Sequence, residues 1–165
     1  MAQTLSSYVT NEASATFAIN AAGQANAHLF TTMGTVEVPD TANGDSLMLC
    51  KLPVDANIIS LKVATDDLGT AGTMDVGLWK ANADGVFTAV DDDAFAVALD
   101  VNAAAVALTE RRFTALDINT AALPLWNLAT GLSARPAYEH LYLGIITDTG
   151  TTAVGTLTFQ VLYTV

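Results

Sequence analysis

The feature that most constrains the fold is the stretch from Gly44 to Lys80, in which three apolar runs are separated by turn-forming residues. A proline ends the first run, and a loop rich in glycine and aspartate follows the second. In the middle run the apolar residues recur with the period of two that a half-buried strand requires: Ile59, Leu61 and Val63. Three strands in 37 residues predict an all-β domain.

Shorter apolar runs continue this pattern along the chain. Further strands are predicted at 35–38, 86–90, 111–118, 141–145 and 157–163. The last two runs are predicted to form a terminal β-hairpin with one apolar face. A count of seven or eight strands without strand–helix alternation predicts an antiparallel β-sandwich, jelly-roll-like in type, with one or two short helices.

Two segments have mixed signals. The acids Asp91–Asp93 precede an alanine-rich run and suit a helix N-terminus, although the residues at 95–99 also alternate as they would in a strand. We predict a short helix in preference to a strand there. Residues 120–129 contain Pro124 and several leucines, and are predicted to form a short helical or irregular cover over one end of the core.

The N-terminal region differs from the rest of the chain. Residues 1–34 are dominated by small side chains and show no regular apolar period, so the sandwich is predicted to span 35–165. The N-terminal residues are either a disordered tail or an extended arm that orders on a neighbour, with Tyr8, Phe17 and Phe30 as its anchors. An arm folded back onto its own sandwich would count against a contact role.

Charge and composition exclude several classes of function. Six basic and 17 acidic residues give a formal charge of −11, which would repel a nucleic-acid backbone. Hydrophobic residues make up 52% of the chain, but no window approaches ~18 consecutive uncharged apolar residues, so no membrane span is predicted. The first eight residues lack the regions of a secretory signal, so cytoplasmic synthesis is expected. Charged residues are only 14% of the chain, which suits close contact with a neighbour.

Patterns for catalysis or metal binding are sparse. His28 and His140 belong to no recognisable catalytic motif, and Cys50 lies inside an apolar run, as a small core residue would. The acids at 66, 67, 75 and 91–93 are placed as turn residues rather than as a facing pair or a calcium loop. We therefore predict no catalytic, cofactor or metal site, and a protein that is not an enzyme.

Trp79 is the best single candidate for an interface residue. It alternates with Met74, Val76 and Leu78, so its side chain is predicted on the outward face of its strand. The alternative is a core tryptophan beneath the cover at 120–129.

Three segments together resemble a known group of proteins: GDSLMLCKLP, ISLKVATDDLGTAGTMDVGLW and LYLGIITDTGTTAVGTLTFQVLYTV. They resemble small β-sandwich structural proteins encoded in the head gene cluster of tailed bacteriophages, and look like capsid decoration, or cement, proteins. The resemblance covers roughly residues 44–80 and 139–165, and it is a pattern of residues rather than a diagnostic motif.

The resemblance implies a non-enzymatic protein of the virion that binds the outside of a shell of major capsid protein and stabilises it against internal DNA pressure. It also implies a homo-oligomer, either a trimer at three-fold or a dimer at two-fold positions of the shell. The alternative is a carbohydrate- or receptor-binding module, which would place exposed aromatic residues or acids at one end of the sandwich. A hydrolase would need two acids facing each other across a cleft.

Overall fold

Two five-stranded sheets form the molecule in the computed structural model, which describes residues 3–5, 15–18, 28–69, 72–101, 106–111 and 123–165. Within these residues there are ten strands and one short helix. In chain order the elements are β1 Gln3–Leu5, β2 Ala15–Ala18, β3 His28–Val38, β4 Ser46–Pro53, β5 Asn57–Thr65, β6 Thr73–Ala81, β7 Phe87–Asp100, β8 Val106–Glu110, α1 Leu125–Leu128, β9 His140–Thr149 and β10 Gly155–Thr164.

The strand order identifies the architecture. Sheet A has the order β1-β4-β9-β6-β7 and sheet B the order β2-β3-β10-β5-β8. The strands from β3 onward pair antiparallel, four to each sheet, and every successive strand changes sheets except β7, which pairs with β6 in sheet A; this is the arrangement of a double-sheet jelly roll. The short β1 adds in parallel at the edge of sheet A, and β2 adds antiparallel at the edge of sheet B. The predicted all-β jelly-roll sandwich is confirmed.

The hydrophobic core lies between the two sheets. Alternate residues of the central strands point inward, and the largest of the fully buried side chains include Phe95 and Phe159. Cys50 is also fully buried, as expected of a core residue. The half-buried strands account for the period of two in the sequence, because each sheet presents one face to the core.

One residue of the middle run differs from its prediction. Ile58 is fully buried with Leu61 and Val63, whereas Ile59 is 44% exposed. The pairing with β10 shifts register at this point, so that Ser60 lies opposite Leu162 but Ile58 lies opposite the next residue, Tyr163. The extra residue of this β-bulge turns the Ile59 side chain away from the core.

The helix predicted after Asp91–Asp93 is wrong, because the whole segment belongs to the strand β7. This strand pairs antiparallel with β6 along its length, with several register shifts. At one irregular position Ala98 has a positive φ of 48°, and its N–H donates to Asp75 Oδ1 at 2.6 Å. Pairing with a neighbouring strand thus overrides the local helix preference of an alanine-rich segment.

The predicted terminal hairpin is also wrong. β9 pairs with β4 and β6 in sheet A, whereas β10 pairs with β3 and β5 in sheet B. The loop between them therefore crosses the sandwich, as does the loop between β3 and β4. The two crossings are joined by hydrogen bonds, including Thr41 Oγ1 to Thr151 Oγ1 at 2.8 Å and Thr147 Oγ1 to the Ala42 carbonyl at 2.6 Å.

The predicted boundary after residue 34 lies inside β3 and is corrected. β3 begins at His28 and pairs with β10 from Leu29 to Val38, so the sandwich includes residues 28–34. The period was hidden because Thr32 and Gly34 occupy inward positions where large apolar residues were expected. Upstream, β1 and β2 pair with strands of the same chain.

The predicted cover at 120–129 contains α1. Its side chains Leu125 and Leu128 are buried, and the Leu125 N–H donates to the Ala56 carbonyl at 2.9 Å. The strand predicted at 111–118 lies almost entirely outside the described residues; the described strand of this region, β8, ends at Glu110. No helix in the described part of the chain has the length and apolar character needed to cross a membrane.

Candidate functional site

The outer faces of the two sheets are the surfaces available for contact, and Trp79 lies on the outer face of sheet A. The neighbouring residue Leu78 belongs to the core cluster, so Trp79 points to the opposite side, as predicted. The side chain is nevertheless only 2% exposed. The outward position is as predicted, and the interface role of Trp79 stays a prediction, because burial in the single chain does not test it.

Glycines on this outer face explain how the tryptophan is buried. A Cβ at Gly144 would lie 2.9 Å from Trp79 Cε3, so the ring rests directly against the backbone of β9. Met48 pairs with Gly144 on the same face and is fully buried. At Gly77 a Cβ would lie 2.2 Å from the Asp91 carbonyl oxygen, because the irregular part of β7 folds close over β6. The chain itself thus closes much of this face.

The three other predicted anchors belong to the N-terminal region. Phe30 is half-buried and stacks on Tyr163 with a ring-centroid distance of 5.3 Å, so it packs against the chain's own core. Phe17 lies in β2 and pairs with Leu29, which places its backbone at the edge of sheet B. Tyr8 lies outside the described residues. As interface residues, Tyr8, Phe17 and Phe30 remain predictions.

The outer face of sheet B is open by comparison. We call it the neutral face; it comprises the outward residues of β3 from Thr31 to Glu37, of β10 from Thr156 to Leu162 and of β5 from Ile59 to Ala64, with Leu108 and Glu110 of β8. Met33 is 55% exposed, and Ile59 and Leu108 are each 44% exposed. These are three of the seven exposed large hydrophobic residues in the described part of the chain.

Charge separates the neutral face from the rest of the molecule. Its charged residues are Glu37, Lys62 and Glu110, and Lys62 lies opposite Glu110 in register. Glu110 also accepts hydrogen bonds from the Ser60 hydroxyl and from the Leu61 N–H, so part of its charge is locally neutralised. The face therefore carries a formal charge of −1 in a chain of −11.

The acids considered for catalysis instead serve the backbone. Asp66 accepts from the Thr156 N–H at 3.0 Å, Asp67 from the Gly69 N–H at 2.9 Å, and Asp75 from the Ala98 N–H. Asp91 is 6% exposed and accepts from the Thr130 N–H at 2.6 Å, which ties the loop after α1 to β7. Asp66 and Asp67 fix the geometry of a loop, as predicted for turn residues, whereas Asp75 and Asp91 fix the backbone from within the strands β6 and β7.

Asp91 and Asp93 are close enough to interact. A side-chain hydrogen bond with Asp91 is the main cause that raises the pKa of Asp93, and partial burial adds to it. The two groups lie in the irregular part of β7 rather than on opposite walls of a cleft. Their contact is one between neighbours on a strand, not one between an acid and a base that flank a substrate.

Other chemically active residues have structural surroundings. Burial raises the pKa of the Cys50 thiol, which disfavours the reactive thiolate. His140 is half-buried at the start of β9, opposite Pro53. No group of three or more histidine, cysteine, aspartate or glutamate side chains suited to a metal ion occurs among the residues that the structure describes.

A small cavity lies where the β3–β4 crossing meets β9. Its volume is about 30 Å³, and its walls include Val38, Ser46 and Thr147. The Ser46 hydroxyl is buried there without a hydrogen-bond partner. This is room for about one water molecule, far below the several hundred Å³ of an ordinary small-molecule site.

Comparison with solved structures gives the same fold. A chain of the capsid of Ralstonia phage GP4 matches with a TM-score of 0.63 and 19% sequence identity, over 99% of this chain and 97% of that one. A chain of the cyanophage Pam1 capsid asymmetric unit matches with a TM-score of 0.50 and 17% identity, over 90% and 94% respectively. No protein-family model and no curated protein matches the sequence. The structural neighbours of this sandwich are thus phage capsid proteins.

Proposed function

We propose that this chain is a structural protein of a phage virion that binds the outer surface of the capsid and stabilises the shell. The observation that carries the proposal is the fold match to a chain of the Ralstonia phage GP4 capsid, which spans nearly the full length of both chains. At 99% and 97% coverage the match is not confined to one part of either chain. At 19% identity it supports the shared fold, and the capsid role is our inference from it.

The surface chemistry supports a contact role over a catalytic one. The carboxylates that sequence reasoning had to consider as catalytic are bound to backbone N–H groups, and the buried cysteine is shielded from reaction. The neutral face offers a broad, nearly uncharged sheet of threonine, glutamine and aliphatic side chains. Repetition over a symmetric shell makes individually weak contacts collectively strong.

The N-terminal region bears on how such binding is arranged. Its described strands β1 and β2 pair with β4 and β3 of the same chain, so these parts of the region lie on their own sandwich, which counts heavily against capsid binding through an extended arm. The proposal therefore assigns binding to the folded sandwich. The role of Tyr8 as an anchor stays a prediction.

A carbohydrate- or receptor-binding module is the alternative. It would present exposed aromatic rings or acids at one end of the sandwich. Every aromatic side chain that the structure describes is buried or half-buried, and the exposed loop acids Asp66 and Asp67 accept hydrogen bonds from backbone N–H groups. Phe87 and Tyr142 form an edge-to-face pair with a centroid distance of 4.8 Å, which occupies one ring with the other. The geometry therefore favours the capsid role.

The direct test is co-sedimentation of the purified full-length chain with empty capsids of the phage that encodes it. We expect saturable binding at a fixed number of copies per capsid, displaced by an excess of unlabelled chain. Bound capsids are also expected to break open at a higher temperature than bare ones. Absence of co-sedimentation, or binding that never saturates, would refute the proposal.

A further inference from the structure

We infer that β7 is a guarded edge strand, in which a bulge held by the hydrogen bond between Asp75 and Ala98 keeps sheet A from adding a strand of another chain. The inference goes beyond capsid binding and does not depend on it. It rests on the position of β7 in its sheet, on the sequence of the strand, and on its irregular pairing with β6.

The strand β7 is open to unwanted pairing by its position and its sequence. It is 14 residues long and lies last in the order of sheet A, so β6 is its only neighbour among the described strands. An edge strand presents backbone N–H and C=O groups to which another chain can bond. The run 94–99, AFAVAL, has no charge, no glycine and no proline, as is typical of segments that stack into cross-β fibres.

The pairing with β6 is interrupted within and beside this run. Four residues of β7, 92–95, stand opposite the single residue Gly77. Two further residues, Val97 and Ala98, stand opposite Asp75 in the same way. Bulges of this kind bend a strand and increase its twist, and natural proteins use them to make an edge unsuitable for pairing. The run that would favour a fibre is therefore not a regular strand in this molecule.

A carboxylate of β6 holds the second bulge. Ala98 has a φ of 48°, a left-handed conformation that is uncommon for a residue with a Cβ. Its N–H donates to Asp75 Oδ1 at 2.6 Å, which satisfies a backbone donor whose residue has no partner in the ladder. Val97 and Ala98 are both exposed, so packing in the core does not fix their conformation. The inference therefore assigns that role to the Asp75 carboxylate.

Charge and a covering loop guard the rest of the strand. Asp92 and Asp93 are exposed just before the run, and the exposed Asp100 follows it, so a second chain of the same kind would bring like charges together. The loop after α1 lies against the start of the strand, where a Cβ at Gly131 would be 2.2 Å from the Val90 carbonyl oxygen. Bulges, flanking charges and a covering loop are all devices that close sheet edges, and β7 has all three.

The test compares Asp75→Ala, Asp75→Asn and the control Asp84→Ala in the full-length chain, by light scattering and thioflavin fluorescence. Each substitution removes one negative charge, and Asp84 lies in the exposed turn between β6 and β7. D75A also removes the acceptor of a hydrogen bond to a charged group, so fibres should form at least about tenfold faster than from D84A. D75N keeps an acceptor oxygen at the same position and should behave like D84A.

Two further measurements make the outcome decisive. Fibres from D75A should give the cross-β reflections at about 4.7 Å and 10 Å, and circular dichroism should show that the starting chains are folded. If D75A does not fold, Asp92→Ala replaces it, because this variant keeps the bulge and removes one flanking charge; it should form fibres faster than D84A.

The inference is overturned if folded D75A forms fibres no faster than D84A. It is equally overturned if D75N forms them as fast as D75A, since the loss of charge and not of the hydrogen bond would then be the cause. Where D75A fails to fold, a D92A that forms fibres no faster than D84A overturns it.

Discussion

The outer faces of sheet A and sheet B belong to the same sandwich but are closed in different ways. On sheet A, glycines at 77 and 144 let backbone and the Trp79 ring approach so closely that the face is largely covered by its own chain. On sheet B the corresponding positions carry threonine, glutamine and lysine, most of them half-buried, and the exposed Met33. One face is therefore part of the fold, and the other is available to a partner.

The two outer faces show that a side chain pointing away from the core can be either buried or exposed. Alternation places Trp79 and Met33 on outer faces alike, yet Trp79 is 2% and Met33 55% exposed. Gly144, a diagonal neighbour of Trp79 on β9, makes the difference, since it leaves space that the large ring fills. Burial of a large side chain on an outer face is thus a question about its neighbours, and alternation alone does not answer it.

The largest effect is expected from Gly77→Val. Its side chain would overlap the Asp91 backbone, which cannot move without displacing β7, so we expect a loss of more than about 4 kcal/mol of stability or no soluble protein. The control is Gly85→Ala, where φ is +77° but nothing lies within 4 Å of the added Cβ; it should cost about 1 kcal/mol. Urea unfolding measures both. Equal losses would show that sheet A is not closed by close approach.

Trp79→Ala comes next. Removing a buried ring from the closed face should cost about 3 kcal/mol, read as a lower urea midpoint. Trp126→Ala, which removes a half-buried tryptophan, is the control and should cost less. If W79A retained wild-type stability but lost binding to capsids, the residue would be an interface contact and our account of sheet A would be wrong.

A smaller effect is expected from Asp93→Asn. The raised pKa of Asp93 means that the folded chain holds this proton more tightly than the unfolded chain, so the pair favours folding at acid pH. That contribution is lost as the pH rises through the folded-state pKa, which lies above the ordinary aspartate value of about 3.9.

The measurement is thermal unfolding of wild type and D93N from neutral pH downward. At neutral pH D93N should be as stable as wild type or slightly more so, and on acidification the wild type should gain relative to the variant. Asp92→Asn removes a neighbouring charge but leaves the Asp91–Asp93 contact. On acidification the wild type should therefore gain less stability relative to D92N than relative to D93N. If the wild type became less stable relative to D93N on acidification, the assigned Asp91–Asp93 contact would be contradicted.

The sequence predicted the architecture well because the evidence for it is local. Alternating apolar residues and turn chemistry indicate strands wherever they occur, and their number and spacing indicated a jelly-roll sandwich. The inward threonine and glycine of β3 concealed the first part of that strand, so the domain boundary was placed too late.

The errors came from information that is not local. Alternation in β9 and β10 shows that each has a buried face, but it does not say that they belong to different sheets. The helix preference of 91–99 gave way to pairing with β6, and the burial of Trp79 depends on a glycine from β9. The sequence did not reveal the neutral face, because its residues are distributed over four strands. The low fraction of charged residues indicated a surface suited to contact, but it did not indicate where on the molecule that surface lies.

The most direct test of the central claim, that the chain closes one outer face itself and leaves the other more open to solvent, uses its own methionines. Met33 is 55% exposed on the neutral face, whereas Met48 is fully buried on the outer face of sheet A. Peroxide oxidation followed by mass spectrometry reports the solvent access of each. We predict that Met33 oxidises rapidly in the folded chain, while Met48 is protected until the chain unfolds. Oxidation of Met48 as fast as that of Met33 in the folded chain, or protection of Met33, would contradict the account.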